Sequence, residues 1–437
     1  MKSVNYSNSI PCTDDFDIAV CGGGVAGFCA AIAAARMGAK TCIIEKNRML
    51  GGVMTSGGNN DIALFCAGDR PVIRGIGWEF VRRLDKIGYA DIPVFRDGVS
   101  HSLQGVKVNI PMAACLMDTM CLEENVALSF GATIVDVRRD GGLWLLICAK
   151  KGALSAVRAK FVIDCTGDGD AAFCAGAEYE LGDPHTGTLQ PGTLRFFPSR
   201  YDAGAITREQ MRESFVRQVA EGTLRKSDFW PGANGDPREI MTHHGDNINH
   251  VEIHADYEQK TEIIEIEARR SLARITGWLR SQFAETADFS MEYLCDGVAY
   301  RETRRILGDV YITVDDYVQA RVWDDSVCYA YYPVDLHQHE SVADERVHNI
   351  FLDKNHVPTI PLRALIVRGL DNFLIAGRCV SSDRLANSGL RVKAPCMAMG
   401  QAAGSAAALA LRHGVDIREI DIQDLKSALS DADCIVP

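Results

Sequence analysis

The sequence predicts an α/β fold, a parallel sheet flanked by helices and interrupted by an inserted α+β segment, and three observations predict it. First, residues 16–21 (FDIAVC) form a short apolar run that meets glycines 22–24. An alanine-rich helical stretch follows to about Gly38, and TCIIE resumes at 41–45, which makes a βαβ unit. Second, three strand-like runs stand in close order, ATIVDVRR, LWLLICAK and SAVRAKFVIDCTG. Third, strand residues return at 372–376 (NFLIA) and lead to a helix from about Pro395 to Arg412.

In chain order, residues 1–14 read as a polar tail, with one lysine and no apolar stretch of the kind a signal peptide needs. The βαβ unit comes next, then the glycine-rich stretch GGVMTSGG at 51–58. An irregular region runs to about Pro111, and residues 113–130 read as helical. The turn signals Asp140-Gly141-Gly142 and Lys151-Gly152 divide the three strand runs into a meander. From about Ala177 to Glu345 the pattern changes. Aromatics and histidines increase, and a long helix is expected from roughly Asp256 to Thr286 on the apolar stripe Ile263, Ile264, Ile266, Leu272, Ile275, Leu279 and Phe283. The expected organisation is therefore a tail (1–14), a first domain in two parts (15–176 and 346–437) and a second domain (177–345) between them.

Composition bounds the function. With 437 residues, 47% of them hydrophobic and 24% charged, the chain has ample material for a packed core. A formal net charge of −12 opposes non-specific attraction to nucleic acid or to an anionic membrane, so neither partner is expected. The fifteen cysteines include no CxxC pair and several lie in apolar runs (Cys21, Cys29, Cys42, Cys148, Cys165). They are expected to be reduced thiols of a cytoplasmic protein, with no metal site. The longest apolar run, Val25–Ala35, is too short to cross a bilayer.

Gly22, Gly24 and Gly27 form GxGxxG between the first strand and its helix, and Glu45 closes the next strand. Gly22 permits a tight turn, Gly24 lets a pyrophosphate approach the backbone, and Gly27 lets helix and strand pack closely, while Glu45 can accept hydrogen bonds from ribose hydroxyls. The motif alone does not separate NAD from FAD.

Further stretches narrow the choice: FVIDCTGDGDAAFCAGAE, RETRRILGD, PVDLH, IPLRAL and NFLIAGRCVSSDRLANSGLRVKAPCMAMGQAAGSAAALAL. Together with the glycine motif they make the chain, from about residue 15 to 412, resemble the glutathione-reductase-like flavoproteins. The resemblance is strongest to bacterial FAD-dependent oxidoreductases related to the fumarate reductase flavoprotein and the glucose-inhibited division protein. It implies a Rossmann-like, two-part FAD domain with FAD as cofactor. Gly22, Gly24, Val25, Ala26 and Gly27 would then face the pyrophosphate, and Glu45 and Lys46 the adenosine. Arg48, Gly51 and Gly52 would meet the ribityl chain and flavin edge. Thr166, Gly167, Gly377, Arg378, Ala394 and Pro395 would hold the other side. Only one GxGxxG is present, so the nicotinamide-binding domain of the disulfide reductases has no counterpart and the electron partner stays open.

The N-terminus of the last helix can place backbone N–H groups against negative charge, with Pro395 suited to the first turn and the small residues of MGQAAG permitting close approach. On the substrate side, Arg301 and Arg304 in RETRR share a face if helical, and guanidinium forks suit an anionic or oxygen-rich small molecule. Asp335 and His337 in PVDLH share a face if on a strand, where a carboxylate can orient the imidazole or raise its pKa. His337, Asp335, Arg301 and Arg304 are thus the candidate catalytic residues. His243, His244, His250 and His254 form a histidine-rich stretch expected to be structural, solvated or in contact with substrate. The expected activity is hydride transfer between flavin N5 and a small polar substrate, either oxidation at an alcohol or amine carbon or reduction of an activated alkene. The alternatives are a flavin-binding redox sensor or subunit, and a tRNA-modifying flavoprotein, which the acidic charge opposes. Oligomeric state is open.

Overall fold

Near-continuous apolar runs make the central strands, because both faces of a parallel sheet are covered by other elements. The computed structural model describes residues 9–230, 235–242, 248–338 and 350–437. In chain order its main elements are β1 (Cys12–Cys21), α1 (Val25–Arg36), β2 (Thr41–Glu45), α2 (Ile76–Lys86), α3 (Ile110–Glu123), β3 (Ala127–Phe130), β4 (Ala132–Asp140), β5 (Leu143–Lys150), β6 (Ala153–Asp164), α4 (Thr261–Gln282), β7 (Phe373–Ile375) and α5 (Lys393–His413). The sheet order is β3-β2-β1-β6-β5-β4, and β7 lies beside the end of β6. β3, β2, β1, β6 and β7 are parallel, while β4, β5 and β6 form the expected antiparallel meander. Its turns use left-handed backbone at Gly141, Gly142, Lys151 and Gly152.

Three expectations about elements need correction. Residues 113–130 are not one helix: α3 starts at the Asn109 cap, whose side chain accepts from Met112 N at 3.1 Å, and ends before left-handed Asn125. β3 then pairs with β2. The irregular region contains α2, whose buried face is Ile76, Phe80, Val81 and Leu84. In the long helix Ile264, Leu272, Ile275 and Leu279 are buried, but Ile263 and Ile266 are 65% and 44% exposed and lie outside the core stripe.

Three hydrophobic clusters form among the described residues; one holds Ala19, Cys21, Trp144, Leu146 and Ile375 of the sheet, and the other two occupy separate parts of the chain. Of these two, the first takes α1, α2, α3, α5 and, from later in the chain, Ile312, Tyr317, Val327 and Val334. The second is built wholly from residues 189–298. The buried residues of the second cluster end at Val298, while Ile312, Tyr317, Val327 and Val334 pack into the first.

Helices α1 and α5 lie in close contact. A Cβ added at Gly400 would stand 2.1 Å from the Ala26 carbonyl oxygen, and one at Gly404 would stand 2.1 Å from that of Ala30. The contacts advance together along both chains, so the helices are parallel. The small residues of MGQAAG thus let α5 pack closely on α1. α5 is long and apolar enough to cross a bilayer, yet its residues are almost all buried in this core.

Candidate active site

The carboxyl ends of β1, β2, β6 and β7 lie side by side, and the segments leaving them line one cavity of about 1090 Å³. This is where open parallel sheets bind ligands, since the connecting loops diverge there. The three motif glycines have different jobs. A Cβ at Gly22 would meet the Cys165 carbonyl at 2.6 Å and one at Gly27 would meet the Gly22 carbonyl at 1.9 Å, so both are required by the fold. Gly24 has ordinary backbone angles, and a Cβ there would project into open space. It is the N-cap of α1 and offers no side-chain cap, which leaves the first-turn amides facing the cavity beside Val25 and Ala26.

Gly51 and Gly52, both left-handed, bring the next loop onto this turn; Gly51 N donates to Gly23 O at 2.8 Å. Glu45 is buried and lines the cavity, but its carboxylate accepts from Gly23 N at 2.6 Å and Asn47 N at 2.7 Å. Beyond the expected ribose contact, it fastens the glycine turn. Lys46 reaches Asp168 (3.3 Å), and Arg378 donates to Asp168 at 2.5 Å and to Thr303 at 2.8 Å. Burial works against the Asp168 charge, but Arg378 and Lys46 outweigh it and hold the carboxyl well below its usual range. Thr166 and Gly167 line the same wall, where buried Asp164 accepts from Thr166 N, Thr166 Oγ1 and Ala172 N. Burial pushes the Asp164 carboxyl up to about 6.

Gly377 and Arg378 line the cavity with Arg391, Val392, Lys393 and Cys396 from the entry to α5. Ala394 and Pro395, the expected contacts, do not: Ala394 is buried and its N–H donates to Ala63 O at 3.2 Å. α5 begins two residues earlier than expected, at Lys393, so Pro395 is its third residue. Arg48 is exposed and is not among the lining residues.

At the far end, Arg301, Asp335 and His337 come together with Trp230, Tyr332 and Arg391. Asp335 and His337 are not on a strand; Val334 makes only an isolated bridge to Ile350. Their side chains nevertheless meet, Nε2 of His337 lying 3.2 Å from Asp335 Oδ2. Burial opposes the Asp335 charge, but the bond to His337 and the nearby charges of His337, Arg391 and Arg301 hold the carboxyl far below its usual range. An ionised carboxylate only accepts, so the imidazole proton sits on Nε2. Nδ1 is buried and has no hydrogen-bond partner among the described residues. Contrary to the expected rise, burial and then the Arg301 charge bring the His337 pKa down to about 4, against the smaller opposing pull of Asp335.

Arg304 is excluded from the site. It lies on a short strand, Arg304–Ile306, buried between Asp170 (2.9 Å) and Glu258 and 4.2 Å over the Phe173 ring. The helical spacing that grouped it with Arg301 does not exist, and its charge is spent on these partners. Of the histidine-rich stretch, His243 and His244 lie outside the described residues. His254 pairs with Glu252 at the surface (3.1 Å). His250 is buried, stacks on Trp230 with ring centres 4.9 Å apart and meets the His337 ring at 5.2 Å. His250 was singled out by the sequence, whereas Trp230 and Arg391 were not, because no local pattern connects segments so far apart along the chain.

The cavity has the features an FAD needs: an open cradle at Gly24, an acid at Glu45, and two parallel helix N-termini facing one space. From Gly400 at the crossing to Lys393, α5 runs on by about 10 Å at 1.5 Å per residue, while α1 begins just before Ala26. The two positive helix ends are thus staggered along the cavity, as an elongated ligand with two electron-rich parts requires.

A family model described as FAD dependent oxidoreductase matches residues 17–429. Over 48 residues the chain is 54% identical to the mitochondrial dihydrolipoyl dehydrogenase of Caenorhabditis elegans, which is 11% of this chain and only 9% of that relative's length. Among solved structures, it is similar to a geranylgeranyl bacteriochlorophyll reductase-like protein from Thermoplasma acidophilum (12% identity, 96% of this chain, 84% of that chain, TM-score 0.43). It is also similar to the OxyS anhydrotetracycline hydroxylase of Streptomyces rimosus (11% identity, 96% of this chain, 66% of that chain, TM-score 0.42).

Proposed function

Because the match spans almost its whole length, the chain belongs to the FAD dependent oxidoreductase family, and from that premise we propose that it transfers a hydride to or from a small polar substrate. The observation that carries this reading is the pair of buried His337 and half-buried Asp335 in the cavity that Gly24 also lines, His337 Nδ1 having no hydrogen-bond partner among the described residues. Bound FAD supplies the hydride acceptor or donor. We assign the hold on it to Gly22, Gly24, Val25, Ala26, Glu45, Gly51, Gly52, Thr166, Gly167, Gly377 and the entry to α5, and grouping with the glutathione-reductase-like flavoproteins fits these segments.

The chain's own part is positioning and proton handling. Arg301 is fixed by donating to Pro191 O and to Thr193 Oγ1 (3.0 Å), and so presents a set geometry to substrate. A change between C–OH and C=O, or C=C and CH–CH, moves a proton as well as a hydride, and Nδ1 of neutral His337 can take it while Asp335 steadies the imidazolium that forms. Ile248 and Val298 of the second core line the same cavity.

The first test is the cofactor. The purified protein is expected to be yellow and to release FAD, not FMN, on denaturation, as read by chromatography; FMN in its place overturns the assignment of the Gly24 and Glu45 end. Anaerobic mixing with alcohols, amines, hydroxy acids and cyclitols, and with NADH and NADPH, then finds the electron donor by loss of flavin colour. A flavin that no donor reduces favours the sensor reading.

A further inference from the structure

We propose that Glu302 is a positioning residue of the site, holding His337 against Asp335 by joining the two pieces of chain on which they are mounted. The inference rests on the reading that this pair handles the proton of the reaction. Asp335 is mounted on the short helix Arg384–Leu390 and its C-cap: its backbone N–H donates to Ser388 Oγ (3.0 Å) and its backbone oxygen accepts from Arg391 Nη2 (3.3 Å). His337 is mounted on the segment 190–193, its backbone N–H donating to Gln190 Oε1 (3.3 Å). The same segment fixes Arg301 through Pro191 O and Thr193 Oγ1. Each member of the pair depends on a different mount, so the 3.2 Å contact between their side chains is set by the spacing of the two mounts.

Glu302 sets that spacing. It is 1% exposed and is not among the residues lining the cavity, so it acts on the pair from behind. Its Oε2 accepts from Gln190 N (3.0 Å) on one mount and from Arg384 Nε (2.9 Å) on the other, while Oε1 accepts from Arg305 Nη1 (2.6 Å) and Arg384 Nε (3.1 Å). The mounts also meet where Arg391 Nη2 donates to Gln190 Oε1, but that bond is 3.3 Å long, ends on a neutral amide and shares its donor with the Asp335 backbone. Hydrogen bonds to an ionised carboxylate are shorter and stronger, so the Glu302 link dominates. Arg305 anchors it in turn by donating to Ser382 O (3.2 Å). Each of these contacts to Glu302 comes from a donor, which decides what glutamine would do there. Its one oxygen can serve the arginines only by turning its NH₂ group toward the Gln190 N–H, donor against donor. Glu302→Gln therefore releases the His337 mount and leaves the helix attached.

The test is nuclear magnetic resonance of the FAD-loaded protein with isotope-labelled histidine rings, the His337 signals being identified by their absence in His337→Gln. It needs no substrate. In the wild type His337 is expected as a single tautomer, with its proton on Nε2. In Glu302→Gln the Nε2 proton should exchange with solvent about tenfold or more faster, and the Nδ1–H tautomer should appear beside it. Gln190→Met removes the acceptor for the His337 N–H while Glu302 keeps its own contacts, and should have the same effect. Glu180→Gln is the control: Glu180 accepts from Arg305 and Tyr311 and bonds to neither mount, so this variant should match the wild type. Circular dichroism and FAD content verify that each variant is folded and loaded. Should Glu302→Gln not accumulate, Glu302→Asp, which keeps the charge on a side chain one methylene shorter, is read by the same signal. A folded Glu302 variant with the wild-type tautomer and exchange rate marks a merely structural role and overturns the proposal, as does Gln190→Met with wild-type signals or Glu180→Gln with the altered ones. A protein that carries no FAD, or whose flavin no donor reduces, overturns the functional reading instead.

Discussion

Gly24 and Gly27 are three residues apart and would fail differently. A Cβ at Gly24 has nothing within 4 Å, so Gly24→Val should fold with a near-native melting curve and lose FAD, its affinity falling by about a hundredfold or more, as read by flavin absorbance. Valine at Gly27 would collide with the Gly22 backbone, so Gly27→Val should fail to accumulate as folded protein. At His337, alanine should slow flavin reduction by substrate by roughly 10²–10⁴-fold with FAD content preserved. Its titration also has a sign. The folded pKa, about 4, lies below the ordinary value of 6.5, so between these the unfolded chain binds a proton that the folded chain refuses. Stability from this group is complete above pH 6.5 and falls by roughly 3 kcal/mol as pH drops through 4. Urea titrations at pH 7 and pH 4 should show the wild type losing more stability on acidification than His337→Gln.

At the scale of elements, the α1–α5 pair depends on glycine where α4 does not. Gly400→Val would push a branched side chain into Ala26 and should cost roughly 1–3 kcal/mol or more, with loss of FAD as the two helix ends separate. Gly277 lies in the exposed middle of α4 with nothing near its missing Cβ, so Gly277→Ala should stabilise by about 0.5–1 kcal/mol. Denaturant midpoints measure both. The βαβ unit and the meander could be read from sequence because each is local: a strand, a glycine turn and the next element follow one another within a few residues. α2 was legible in principle from Ile76, Phe80, Val81 and Leu84. It was missed because left-handed Gly75 and Gly88 close to its ends give the region an irregular look. Arg301 and Arg304 were grouped on a helical spacing, and only the strand at Arg304–Ile306 separates their roles.

For the whole molecule, the nucleotide end was readable and the substrate end only in part. His337 and Asp335 are neighbours in sequence, whereas Trp230, His250, Arg301 and Arg391 converge from distant segments, and convergence is a property of the folded chain. The cavity is lined from the first and second cores, with Gly24 and Arg378 contributed by one side and Arg195, Trp230 and Ile248 by the other. A ligand that spans it should therefore stabilise the protein as a unit. At a hundred times its Kd, FAD should add about 2.7 kcal/mol, seen by calorimetry as a raised Tm of the stripped protein. FMN, which cannot reach the Gly24 and Glu45 end, should add much less.

The parallel helix pair also sets an order of events during synthesis. The α1 surface at Ala26 and Ala30 leaves the ribosome early, but its partner glycines at 400 and 404 are made about 374 residues later. At 5–20 residues per second that is a wait of roughly 20–75 s, during which an alanine-rich face lacks its permanent cover. A nascent chain arrested before residue 393 has the glycine turn but not the second helix end, so stable capture of flavin should follow synthesis of α5. Chaperone demand should be greatest in that interval, and a supply of free flavin during translation would not shorten it.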